Sequence, residues 1–172
     1  IYSFNQVIDR RGRGKRRRAD PAARTIRSAG YGRKMADHHG GELCVKHGVV
    51  VVSDGIHADF VYPGHCHTVF AEIKPEFSDI TVTCTAPTKT FNLAGLQISN
   101  IFIPDKVIRQ QFRRELKTGT ISPNTMGLVA VKPLTGTGLD ELKNYLTLNL
   151  DFVRSFLADN LPQIRLVEPE GT

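Results

Sequence analysis

Lys89 stands between Thr88 and Thr90 in the stretch CTAPTKTFNLAGLQ, residues 84–97, just past a β-type run and just before the Ala94-Gly95 pair. A lysine in such a turn is either a solvated side chain or an amine kept for covalent or proton-transfer chemistry. It can do the latter once burial or a nearby cation lowers its pKa. Asp54 follows the run Val49–Val52 in the same way. In an open α/β sheet, ligands bind at the carboxyl ends of strands, so an amine and a carboxylate at two such ends make a small candidate constellation. On residue types alone, Asp54 reads more readily as a turn cap and Lys89 as surface charge. The neighbouring His65, Cys66 and His67 invite a metal reading. Consecutive residues seldom point at one centre, however, and a zinc site needs a further ligand from elsewhere, so no metal is expected.

The elements that must position these residues follow from the apolar pattern. Gly48–Ser53 is a continuous β-branched run, as in a strand buried on both faces, which suggests a parallel sheet. Residues 60–67 hold Pro63 and Gly64 and read as a loop, Val69–Ile73 as a short helix, and Asp79–Cys84 as the next strand. Ile98–Ile103 is a further strand. Pro104-Asp105 then starts a helix with apolar positions Val107, Ile108 and Phe112, ending before Gly119. An apolar stretch runs from Asn124 to Val131, and a long amphipathic helix spans about Leu139 to Asn160, with Leu142, Tyr145, Leu146, Val153, Phe156 and Leu157 as its core face. Pro162 stops it, and Ile164–Val167 is expected to begin a strand. Strands alternating with helices predict an α/β fold.

The 172-residue chain is long enough for one core. No apolar run approaches the roughly 18 residues of a membrane span. Three cysteines without metal spacing fit reduced thiols, hence a cytoplasmic protein. The net charge of +6 is unevenly placed: Arg10 to Lys34 holds eleven Lys or Arg against the single acid Asp20, while the remaining 12 basic residues face 16 acids. Only this arm is basic. With Tyr31 as its one aromatic, any polyanion binding would be electrostatic and salt-dependent, and a nucleic-acid partner is not expected.

Two stretches, VVVVSDGIHADFVYPGH (49–65) and PEFSDITVTCTAPTKTFNLAGLQISNIFIP (75–104), closely resemble the MalY/PatB branch of the fold-type I, class I/II aminotransferases, the pyridoxal-phosphate C-S lyases of the cystathionine β-lyase kind. The resemblance runs from Leu43 to Thr125 and returns from Leu139 onward. It implies a three-layer α/β/α piece of the large domain of that fold, with a mostly parallel sheet. It also implies that Lys89 holds pyridoxal 5'-phosphate covalently and later removes the substrate α-proton, and that Asp54 pairs with the pyridine nitrogen. A unit charge pair about 4 Å apart at an effective dielectric near 20 is worth roughly 4 kcal/mol before desolvation. At about 1.36 kcal/mol per pKa unit, that would raise the ring nitrogen's pKa by nearly three and keep it protonated. His57 falls where related enzymes place a side chain near the ring hydroxyl. Thr88 and Thr85 would donate hydroxyl hydrogen bonds to the phosphate, while Asn92, Ala94 and Gly95 would shape the chain behind the lysine.

The implied reaction releases a thiol, pyruvate and ammonia from a sulfur amino acid, with transamination as the neighbouring activity, in a homodimer. The resemblance also has gaps. The family's Asp-Glu-Ile-His reads Asp54-Gly55-Ile56-His57 here, and nothing in Asp9–Gly41 matches the family's Pro-His-Asn-Pro turn. Residues 1–41 are therefore expected to be an irregular basic segment, disordered or translated out of frame, 42–161 part of the cofactor domain, and 162–172 the start of a small domain. The chain is expected to be a fragment of impaired activity. The alternative is a non-catalytic remnant whose basic arm binds a polyanion.

Overall fold

Val51 is fully buried and Ser53 nearly so, whereas Val52 and Asp54 between and beyond them are only partly covered, the alternation of a strand with two unlike faces. The computed structural model describes residues 24–26, 34–118, 122–132, 134 and 137–171. In it, strands β1 (Arg24–Ile26), β2 (Val51–Asp54), β3 (Thr81–Thr85) and β4 (Asn100–Phe102) form one sheet in that order. The β1–β2 and β2–β3 pairs are parallel and β3–β4 antiparallel, so the sheet is mostly parallel. The helices are α1 (Lys34–His47), α2 (Pro75–Ser78), α3 (Pro87–Thr90), α4 (Lys106–Thr118), α5 (Thr125–Val131) and α6 (Thr137–Asn160), with 3-10 turns at Phe70–Glu72 and Ala94–Leu96.

The two faces of the sheet carry separate apolar clusters. On one, Cys44 of α1, Val51, Phe70, Phe77 of α2 and Ile80 pack together, with the Phe70 and Phe77 rings stacked at 5.0 Å. On the other, Val82, Ile103 and Ile108 of α4 pack with Val50, Cys84 and Phe112. The valine run feeds both clusters, Val49 and Val51 one and Val50 the other, because successive strand residues point to opposite faces. This is the α/β fold expected, with helices on both sides. Buried Thr81 satisfies its hydroxyl by donating to the Phe77 carbonyl at 2.5 Å.

Several boundaries differ from the sequence reading. β1 and the start of α1 lie inside the stretch expected to be irregular; a three-residue strand is too short to show a period, and Gly40 and Gly41 obscure the helix. Gly41 is there because α1 crosses α2 closely, and a Cβ at that position would overlap the Phe77 ring. The rest of the 1–33 reading lies outside the described residues. In α4, Asp105 caps the helix by accepting from the Ile108 amide at 2.7 Å, as Pro104-Asp105 led one to expect. Val107 is exposed there, since adjacent helical residues lie about 100° apart and Ile108 takes the core side. The apolar stretch is helical over Thr125–Val131, with Asn124 as its cap, accepting from the Met126 amide.

The largest departures are near the C-terminal end. No described residue of α6 is buried, and Tyr145, Val153 and Phe156, expected in the core, are 63%, 39% and 46% exposed. Ile164–Val167 is not a strand, and Val167 is 85% exposed with no strand beside it among the described residues. Arg154 of α6 instead grips Glu168 through Nε and Nη2, and the chain returns to pair Gly171 with Val61.

Candidate active site

β2 and β3 run parallel and end level. Asp54, the last residue of β2, is in register with Cys84, and Thr85 closes β3 one residue later. The ladder continues past the strand, because the Gly55 amide donates to the Cys84 carbonyl at 2.8 Å. A side chain at Gly55 would bring its Cβ to 3.3 Å from that same oxygen, so the glycine lets the turn after Asp54 lie tightly on β3. The replacement within the Asp-x-Ile-His motif therefore does not loosen this backbone; it is pinned. One oxygen of Asp54 accepts from the Ile56 amide at 3.4 Å, and its negative charge reaches Cys84. Burial first, and the Asp54 carboxylate second, push the Cys84 thiol up to about 11.

Lys89 sits on α3, a single turn entered through Pro87, whose fixed φ suits the first helical position. Its neighbours Thr88 and Thr90 are 7% and 8% exposed, while Lys89 itself is half-buried. Amides of Lys89, Phe91 and Leu93 donate to the carbonyls of Ala86, Pro87 and Thr88. Asn92 then turns the chain at φ 54°, a left-handed conformation that asparagine tolerates better than most residues. This is the shaping role expected of Asn92. Gly95 has open space where a Cβ would stand, so close approach does not explain it.

A cleft of about 210 Å³ lies between the two tips, lined by Gly55, Ile56, Ala58 and Asp59 on one side and Thr85, Ala86 and Pro87 on the other, with Asn100 beside them. The strand register thus brings Asp54 and Thr85 to one end of the sheet, and the helical turn carrying Thr88 and Lys89 starts just after Ala86. Of the expected site residues only Thr85 lines the cleft; Asp54, Thr88 and Lys89 lie beside it, and His57 is exposed on the 54–60 turn, its ring 6.0 Å from that of Phe60. Among the described residues no three His, Cys, Asp or Glu side chains converge as a metal site would need. Sequence reasoning passed over Asp59, which lines the cleft, and Thr90, whose hydroxyl donates to its carboxylate. Their only signal was position, five residues past Asp54 and one past Lys89.

The fold and the paired strand tips define an α/β protein with its candidate site at the carboxyl edge of a mostly parallel sheet. The chain belongs to the family of class I and II aminotransferases, whose model matches residues 41–171. It is 43% identical over 136 residues to cystathionine beta-lyase PatB of Bacillus subtilis, which covers 77% of this chain and 35% of the relative. Among solved structures, a PLP-bound putative aminotransferase from Clostridium difficile matches with TM-score 0.73 and 36% identity over 81% of this chain and 37% of its own. Cystalysin from Treponema denticola, which contains pyridoxal 5'-phosphate, matches with TM-score 0.71 and 34% identity over 79% of this chain and 36% of its own. The chain spans about a third of the length of these relatives. No described helix is long and apolar enough to cross a membrane.

Proposed function

We propose that the chain is part of a pyridoxal-phosphate-dependent C-S β-lyase that cleaves a sulfur amino acid such as cystathionine to a thiol, pyruvate and ammonia. The observation that carries this reading is the level ending of β2 and β3, with Asp54 on one tip and the Lys89 turn beginning on the next. The donor set suits the cofactor: a carboxylate for a ring nitrogen, a primary amine for its carbonyl carbon, and hydroxyls for its phosphate. Likeness to a cystathionine beta-lyase and to two structures that hold pyridoxal phosphate supports it further.

In this reading Asp54 would pair with the pyridine nitrogen and favour its protonated form, Lys89 would anchor the cofactor, and Thr88 and Thr85 would bind its phosphate. His57 stands near the ring hydroxyl, which requires that its ring swing from the exposed position toward the cleft. The bound cofactor supplies an electron sink for the charge left at the substrate α-carbon. Once the substrate's own amine had displaced it from the cofactor, the Lys89 amine would be free to take the α-proton, and a positioned base of this kind contributes about 10²–10⁴-fold. The β-carbon would then lose its thiolate, and water would hydrolyse the remaining product to pyruvate and ammonia. Residues 42–161 belong to the cofactor domain and 162–172 lead into a second one. The functional unit in this reading is a homodimer of the cytoplasm. Transamination shares the early proton transfer and is the neighbouring activity.

The test is chemical. Pyridoxal phosphate added to the chain gives a visible absorbance band, and borohydride then fixes the label on Lys89. Label spread evenly over other lysines would remove the assignment.

A further inference from the structure

The hydroxyl of Thr90 donates to Oδ2 of Asp59 at 2.5 Å, joining residues 31 apart in the chain. Both ends of this bond are fastened to their own strand tip. On one side, the amides of Gly55, Ala58 and Phe60 donate to the carbonyls of Cys84, Gly55 and His57, so that residues 54–60 wind as consecutive turns from the end of β2. On the other, Thr90 is the last residue of α3, whose four residues follow β3 with only Ala86 between. Asp59 also lines the cleft beside the strand tips, so the bond ties one of its lining residues to the end of α3.

A helix of one turn has no cooperative stability of its own, and its direction must be set by tertiary contacts. A hydroxyl donating to a carboxylate at this distance is among the stronger hydrogen bonds, roughly twice a neutral one. Thr90 is moreover buried, so losing its partner would leave a polar group unsatisfied.

We propose that Asp59 and Thr90 are positioning residues: their bond fixes the turn that carries Lys89 against the tip that carries Asp54, and so sets the separation of amine and carboxylate. The proposal rests on the cofactor reading of Lys89 and Asp54. A displacement of about 1 Å in such a site costs on the order of 10²-fold in rate.

Thr90→Val removes the hydroxyl while keeping the shape, and Thr90→Ser keeps the hydroxyl; both are made in the full chain. Hydrogen exchange, which needs no cofactor, reads whether the bond holds the turn. The amides of Lys89, Phe91 and Leu93 should exchange about tenfold faster in Thr90→Val and within about twofold of the parent in Thr90→Ser, with the β2–β3 ladder amides unchanged as a check on folding. Borohydride-fixed label at Lys89 should fall about tenfold in Thr90→Val and be restored in Thr90→Ser. Unchanged exchange in Thr90→Val overturns the proposal. Faster exchange with undiminished labelling also overturns it, leaving the bond a structural one. A parent chain that shows no preference for Lys89 removes the cofactor reading and the positioning role with it, even if the exchange result shows that the bond holds the turn.

Discussion

Asp54 and Cys84 face each other across the parallel β2–β3 ladder, and the carboxylate helps burial hold the thiol protonated up to about pH 11. At pH 8, a thiol of that pKa is only about 0.1% thiolate, against roughly a tenth for a cysteine at the ordinary value near 9. Cys66 is exposed. Titration with a thiol reagent at pH 8 should modify Cys66 rapidly and leave Cys84 intact until the protein unfolds. Because burial is the larger cause, Asp54→Asn should speed Cys84 only modestly.

The same pair gives a pH dependence of stability. The folded pKa of Cys84 lies above its ordinary value near 9, so the unfolded chain loses this proton first as the pH rises. The contribution is intact below about 9 and is lost progressively up to about 11. Thermal melts across that window should fall more steeply for the parent than for Cys84→Ala, each compared with its own midpoint at pH 8.

Gly40 and Gly41 should respond in opposite ways to the same substitution. Gly40→Ala meets open space and gains helix propensity, about 1 kcal/mol. Gly41→Ala drives its Cβ into the ring of Phe77, which is 1% exposed and stacked on Phe70. Overpacking of that kind costs about 1–3 kcal/mol and should offset or exceed the propensity gain. Urea unfolding of the two variants checks the sign, and Gly41→Ala combined with Phe77→Leu should recover part of any loss.

Phe152 and Phe77 differ as sharply. Truncating Phe77 to alanine should cost about 3–5 kcal/mol, as for a fully packed aromatic. Phe152, 68% exposed, should cost less than about 1 kcal/mol in this chain. Denaturant midpoints at constant slope would show the contrast.

The strands and the short turns between them were legible because β-branched runs and Pro, Gly and Asn have local causes. The valine run and the Pro104-Asp105 helix start stand where their chemistry predicts. The face of α6 was not legible. Leu142 and Phe156 form a helical stripe whatever covers it, and periodicity reports an apolar face without naming its partner. β1 was hidden by its length. At the candidate site, the apolar pattern placed Asp54 and Lys89 just past strand ends, whereas the Asp59–Thr90 bond joins a turn to the end of α3 through tertiary structure and leaves no pattern in the sequence.

The most direct measurement is the position of the borohydride-fixed label, read by peptide mass spectrometry after the chain has been mixed with pyridoxal phosphate. Label concentrated on Lys89, abolished there by Lys89→Ala and weakened about tenfold or more by Asp54→Ala, is the result expected, since a lost charge partner of roughly 4 kcal/mol before desolvation leaves ample room for that change. Weak or absent turnover of cystathionine by this third-length chain would be compatible with that result. Label distributed over the lysines in proportion to their exposure, and indifferent to Asp54, would contradict it.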